Sequence, residues 1–175
     1  SGRGGAASVV PVSPPTHGSR QAIVTSMSLF ERVGHHLTGI EKLRRFLSEG
    51  LRPPMAELLD LRLIEAEEGQ VAFEATPNER HYNPMGGVHG GYAATLLDFS
   101  CGYATISRLP ANASFSTLEL KVSYHRPMSA DTGKVRVEGK VVSMGRRVAF
   151  VEGRVLDSQG RLLASATSTC LIDQL

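Results

Sequence analysis

Hydrophobic and polar positions repeat along this chain with two different periods. Ile40, Leu43, Phe46 and Leu47 recur at helical spacing and predict an amphipathic helix over residues 39–50, stopped by Gly50 and barred from continuing by Pro53-Pro54. From Met55 the period shortens, and residues 58–67 and 70–76 read as two strands around a Glu68-Gly69 turn. A polar loop, 77–87, follows, and then a long helix over residues 88–107. Beyond it Leu118, Leu120, Val122 and Tyr124 alternate with Glu119, Lys121, Ser123 and His125, and Val135, Val137 and Val141 alternate with polar neighbours. That is the signature of strands with one wet face. Two more strands, 148–156 and 161–172, lie beyond the turns at Met144-Gly145 and Asp157-Ser158-Gln159-Gly160.

The order helix, two strands, long helix, four strands predicts an α+β layer structure with a helix against one face of an antiparallel sheet. Neighbouring strands in sequence are expected to pair, so a meander should dominate. The long helix is apolar nearly all round, with Tyr92, Ala93, Leu96, Leu97, Phe99, Cys101, Tyr103 and Ile106, and should be buried on most sides against the concave face of the sheet. Three units are expected: a flexible leader over 1–26, a helical extension over 27–54 and the main domain over 55–175.

Composition narrows the function by exclusion. A formal net charge of +2 over 175 residues is too weak to point to nucleic acid. Cys101 and Cys170 form neither a disulfide framework nor a metal-ligand spacing, and both read as small core residues. No metal site is expected, because no His, Cys or acidic pair shares its spacing with a third ligand. No apolar run reaches the roughly 20 residues of a membrane span. The leader lacks a secretory apolar core, and Met27 is a candidate initiator, so cytoplasm is the expected location.

The long helix carries one charged residue, Asp98. A lone carboxylate in a buried helix is costly unless it is paired, hydrated or used. A satisfied structural Asp and a functional one are equally good readings of that feature alone. The helix start, Gly86-Gly87-Val88-His89-Gly90-Gly91, shifts the balance. Glycines permit close backbone approach, and free N–H groups at a helix start favour developing negative charge. Such a site suits the oxyanion of acyl transfer.

Asn83-Pro84-Met85-Gly86-Gly87-Val88-His89-Gly90-Gly91, followed by Leu96-Leu97-Asp98, resembles the signature of the PaaI-type hotdog-fold thioesterases. The strand from Thr117 to Tyr124 with Arg126-Pro127, the Gly145-Arg146-Arg147 turn and the last strand are also similar, so the resemblance spans about residues 50–172. It implies a hotdog fold, a long helix wrapped by a curved antiparallel sheet, and hydrolysis of an acyl-coenzyme A thioester without a further cofactor. It implies roles for Asn83 and His89 in positioning the thioester and its leaving group. The Gly90 N–H would polarise the carbonyl, Asp98 would act as general base or nucleophile, and Thr117 would orient the attacking water. Contacts to coenzyme A would come from Gly91, Glu119, Ser143 and Gly145, and from His125, Arg126, Arg146 and Arg147. For those four the alternative reading is solvated surface. One departure stands out: a related subgroup keeps a Thr one turn after its acid, where this chain has Gly102.

Spacing adds a geometric consequence. Gly90 and Asp98 are 98 − 90 = 8 residues apart, about 12 Å along one helix. A base and an oxyanion donor must both reach the same reacting group. Two-fold pairing would bring Gly90 of one chain to Asp98 of another, so a homodimer with two shared sites is expected. The resemblance adds pairing into a dimer of dimers. Two other readings compete: a hotdog hydratase or dehydratase, and a non-catalytic acyl-coenzyme A sensor. Met85, Tyr92, Leu96 and Phe99 are candidates for an acyl pocket, with core packing as the alternative.

Overall fold

The computed structural model describes residues 28–174; the expected leader lies outside the described residues. Six strands, β1 (Arg62–Glu67), β2 (Gln70–Ala75), β3 (Ala113–Tyr124), β4 (Val135–Met144), β5 (Val148–Leu156) and β6 (Leu162–Gln174), form one antiparallel sheet. The sheet curves around the long helix α4 (Gly90–Ile106). Three shorter helices precede β1: α1 (Leu29–Val33), α2 (Gly39–Glu49) and α3 (Pro54–Leu58).

Helix α2 runs as its pattern predicts. Glu41 accepts from the Thr38 backbone N–H at its start, and Gly50 closes it in the left-handed conformation at φ 63°. The strand expected from residue 58 begins only at Arg62. Pro54 occupies the first turn of α3, where its missing N–H costs nothing and its fixed φ suits a helix. Pro53-Pro54 therefore ends one helix and starts another. Asp60, at φ 48°, then turns the chain into β1.

The sheet order is β1-β2-β4-β5-β6-β3. Three of its five pairings join consecutive strands, and two do not: β2 pairs with β4, and β3 crosses the sheet to pair with β6. The expected meander thus holds on either side of α4 and fails where α4 intervenes. β3 becomes a 12-residue edge strand, with Leu118 bulged out of register between Thr117 and Glu119. Leu118 and Tyr124 are exposed on it.

Two glycines set how closely α4 lies on the sheet. Gly139 of β4 and Gly153 of β5 are cross-strand partners. A Cβ at Gly139 would overlap the Ser100 carbonyl, and one at Gly153 would press on Leu97, Cys101 and the Ser100 hydroxyl. The notch lets Ser100, Leu97 and Cys101 sink out of solvent. Burial pushes the Cys101 thiol up to about 12, so it stays neutral and serves as packing. Core residues from α1 and α2, Val33, Leu43 and Phe46, join one cluster with α4 and the sheet. Gly39 fixes the start of α2 beside the end of α4, donating to the Leu109 carbonyl at 2.9 Å. No helix among the described residues is long and apolar enough to cross a membrane.

Candidate functional site

Asp98 does not sit in the core. The sequence expectation of a buried carboxylate is corrected: in this chain Asp98 is exposed, on the stripe of α4 beside the edge strand β3. The flanking residues Leu96 and Leu97 are fully buried, so α4 packs its apolar sides and leaves this position open. Thr117 on β3 donates its hydroxyl to the Asp98 carboxylate at 3.1 Å. The contact depends on the β3 bulge, which follows Thr117 directly.

Asp98 and Thr117 stand at one end of a cavity of about 720 Å³. Its walls include Phe99, Gly102, Tyr103 and Ile106 of α4 and Phe115 of β3, and Phe30 and Phe46 close it from the N-terminal helices. Of the four candidates for an acyl pocket, only Phe99 lines this cavity. Tyr92 and Leu96 are buried in the core, and Met85 points into solvent from the loop.

The start of α4 forms a second, separate group. His89 is the N-cap, and its Nδ1 accepts from the Gly91 N–H at 2.8 Å. Asn83 shapes the preceding loop: its side-chain oxygen accepts from the Met85 N–H at 2.9 Å and the Gly87 N–H at 3.3 Å. Among the described residues no acceptor is paired with the Gly90 N–H. A Cβ at Gly90 would meet the Tyr124 ring at 3.0 Å, and the Tyr124 hydroxyl donates to the Gly90 carbonyl at 3.1 Å. A smaller cavity of about 350 Å³ opens here, lined by His89, Gly90, Tyr124, His125 and Arg126 among others.

The residues expected to hold coenzyme A divide between the two ends. Gly91, His125 and Arg126 lie with the helix start, where Arg126 donates to the Leu162 carbonyl at 2.7 Å and His125 shares a hydrogen bond with Ser165 at 2.8 Å. Ser143, Gly145, Arg146 and Arg147 lie at the β4–β5 turn. That turn is stitched to β6, next to Thr117's partner Cys170, by the Ile172 N–H on the Arg147 carbonyl at 2.8 Å. Glu119 is on exposed β3 between the groups, its carbonyl accepting from Ser168. Arg146 and Arg147 are exposed and, among the described residues, make no ion pair.

Sequence reasoning missed Tyr124, Phe115 and the N-terminal aromatics. Tyr124 was visible only as one member of an alternating strand; its contact with Gly90 depends on where β3 lies relative to α4. His81 lies in the loop before the glycine-rich helix start, and the sequence assigns it no role. Its ring stacks on Tyr92 at 4.1 Å beneath the helix start, and burial with nearby Arg80 holds its pKa below the ordinary value. Among the described residues the Tyr92 hydroxyl is buried without a partner, and burial raises its pKa above the ordinary range.

Known proteins resemble both the fold and the sequence. The thioesterase superfamily model matches residues 85–164. A Saccharolobus solfataricus protein whose name assigns it provisionally to the esterases is 32% identical over 66% of this chain and 81% of its own length. The proofreading thioesterase EntH of Klebsiella pneumoniae is 32% identical over 61% of this chain and 77% of its own. The crystal structure of a phenylacetic acid degradation-related protein from Ralstonia eutropha JMP134 superposes with a TM-score of 0.66 at 30% identity, covering 73% of this chain and 97% of that one. The Escherichia coli PaaI protein, at 18% identity and a TM-score of 0.66, shares the fold over 74% of this chain and 91% of its own. With its α4-wrapping sheet and these relatives, the chain belongs to the thioesterase superfamily and has the hotdog fold.

Proposed function

We propose that this protein hydrolyses acyl-coenzyme A thioesters to a free acid and coenzyme A, as a homodimer whose two sites each draw on both chains. The observation that carries the reading is the Thr117–Asp98 hydrogen bond at the mouth of an apolar cavity, on the same helix as the free Gly90 N–H but about 12 Å away. One chain holds a carboxylate with an acyl-sized cavity, and separately a helix start with an unused donor. A two-fold axis placing α4 beside a second α4 would complete both. The exposed β3 edge, with Leu118 and Tyr124 outward, suits pairing with a second β3, since long exposed edge strands are otherwise a liability.

The chemistry follows from those groups. Thr117 donates its proton to one carboxylate oxygen and keeps a lone pair free to accept from water. The second Asp98 oxygen takes a proton from that water as its oxygen attacks the carbonyl carbon. Negative charge moves to the carbonyl oxygen and is met by the Gly90 N–H of the other chain, at the positive end of α4. The C–S bond then breaks, and coenzyme A leaves as a thiolate. A thiol pKa near 8.5 makes that departure easy, and the proton on Asp98 returns to sulfur or to solvent. The Thr117 hydroxyl beside Asp98 is placed to hold a water against the carboxylate, which suits the base role. A structural neighbour from Streptococcus mutans, 25% identical with a TM-score of 0.60, was solved bound to acetyl CoA, which supports coenzyme A as the carrier group. The basic pair Arg146-Arg147 suits its phosphates.

The test is thiol release from a panel of acyl-coenzyme A esters by the wild type beside Asp98→Asn. The wild type is expected to release thiol, and the variant to be slower by about 10²–10⁴-fold. Water addition to enoyl esters without thiol release would instead identify a hydratase, and binding without either reaction a sensor.

A further inference from the structure

We infer that the N-terminal segment Ser28–Met55 is the specificity-determining roof of the acyl pocket, and that the pocket takes an apolar acyl chain about ten carbons long. The inference rests on the hydrolase reading for where the thioester lies; the rest comes from the cavity. Asp98, Phe99, Gly102, Tyr103 and Ile106 recur at helical intervals and form one stripe of α4 along the cavity. From Asp98 to Ile106 is 106 − 98 = 8 residues, about 12 Å of helix. A saturated chain with C–C bonds of about 1.5 Å advances about 1.25 Å per carbon in its zigzag, so about ten carbons fill that length. Charged groups on the walls other than Asp98 come from the N-terminal side, Arg32, Arg52 and Glu57. Burial holds the Tyr103 hydroxyl neutral. A cavity of about 720 Å³ is within the usual range for sites that enclose a whole small ligand.

The roof is thin and held by few groups. Phe30 of α1 stacks on Phe46 of α2 at 5.8 Å, and Phe46 tilts onto Tyr103 of α4 at 6.3 Å. The buried Lys42 ammonium lies 5.4 Å from the centre of the Phe30 ring. Arg45 donates to the Val33 carbonyl at 2.9 Å and ties α1 to α2. Phe30 is only partly buried, so its ring spans the cavity and the outside, and its removal should open the roof without emptying the core.

The experiment measures kcat/KM for straight-chain esters from acetyl- to tetradecanoyl-coenzyme A, and calorimetric binding of butyl- and decyl-coenzyme A thioethers, which cannot be hydrolysed. Wild type, Phe30→Ala and Phe30→Leu are compared, with thermal melting as the check on folding. Each added methylene should raise kcat/KM about two- to fourfold up to about ten carbons, with no gain beyond. Phe30→Ala should lower the decanoyl value by about tenfold and the butyryl value by less than about twofold, while Phe30→Leu recovers most of the loss. A flat length series, or an equal loss on butyryl and decanoyl esters, overturns the inference and leaves the hydrolase reading standing. Length-dependent thioether binding that Phe30→Ala abolishes, in a protein that hydrolyses none of the esters, upholds the roof and sinks the hydrolase.

Discussion

The middle of α4 and its start are built in opposite ways. At the middle, a carboxylate with one hydroxyl donor faces an apolar cavity whose walls come from five elements, α1, α2, α3, α4 and β3. At the start, backbone N–H groups, glycines, a histidine cap and an aromatic–basic rim face a smaller opening. On the proposed reading the first supplies a proton acceptor and room for an acyl chain, and the second supplies donors and the positive end of a helix. Neither alone can both activate water and stabilise an oxyanion. On the proposed reading, assembly with a second chain, rather than a movement within one chain, completes the two halves.

The largest expected effect breaks that comparison or establishes it. Asp98→Asn disables the middle. Gly90→Pro disables the start by removing its N–H, at the first helical position where proline is tolerated and after a residue already extended at ψ 137°. The new ring presses on Tyr124, which a Cβ at Gly90 would meet at 3.0 Å, so melting and assembly of this variant are measured beside its turnover. Loss of one oxyanion donor costs about 10²–10³-fold, and Asp98→Asn about 10²–10⁴-fold. Mixed and re-equilibrated, the two inactive variants should recover about one quarter of wild-type turnover: half of the dimers are mixed, and each holds one intact site. Turnover that stays at the sum of the two variants would mean that each site lies within one chain.

Thr117 tests the middle alone. Thr117→Val keeps the shape and removes the hydroxyl that binds Asp98, which should cost about ten- to hundredfold in kcat, in line with about 1.5–3 kcal/mol for a hydrogen bond to a charged group. Thr117→Ser should restore most of it. A loss in the Ser variant with turnover near wild type in the Val variant would point to packing of the methyl group instead.

Much of this was legible in the sequence, and the gaps have physical reasons. α2, α4 and the later strands follow from periodicity and from glycine or proline punctuation, which are local properties. Strand order is not local. β3 reads like its neighbours, yet crosses to β6, and only that placement brings Thr117 to Asp98 and Tyr124 to Gly90. Asp98 was expected to be buried because α4 is apolar nearly all round, yet its stripe beside the edge strand β3 is open. α3 was hidden because Pro53-Pro54 reads as an end and serves as a start as well. The aromatic roof was invisible, since Phe30 and Phe46 are brought over the cavity by tertiary packing.

The glycine notch under the middle of α4 ranks next. Gly139→Ala should destabilise the fold by about 1–3 kcal/mol or more, because the new methyl would meet the Ser100 backbone rather than a movable side chain. For a chain of this size that lowers Tm by about 2–4 °C per kcal/mol. Because the notch fixes where α4 lies, thiol release should fall with it even below the melting range. An unchanged rate in a destabilised protein would separate the position of the helix from the chemistry.

The smallest effect belongs to the other end. Asp157 holds the β5–β6 turn beside Arg126, accepting from the N–H groups of Gln159 and Arg161, each at 2.9 Å, and from the Arg161 guanidinium at 2.7 Å. Those bonds, led by the Arg161 backbone N–H, hold its carboxyl below the usual range. A carboxylate whose pKa is lowered on folding adds stability above its unfolded pKa, near about 3.9, and the contribution disappears as pH falls through the folded value. Asp157→Asn should therefore melt below the wild type at neutral pH, and the difference should shrink as the buffer is taken below the carboxylate range. Turnover at neutral pH and moderate temperature should stay near wild type, since Arg126 is held by the Leu162 carbonyl and not by Asp157. A melting difference that persists undiminished in acid would mean that the amide disturbs the turn by its shape and not by the loss of charge.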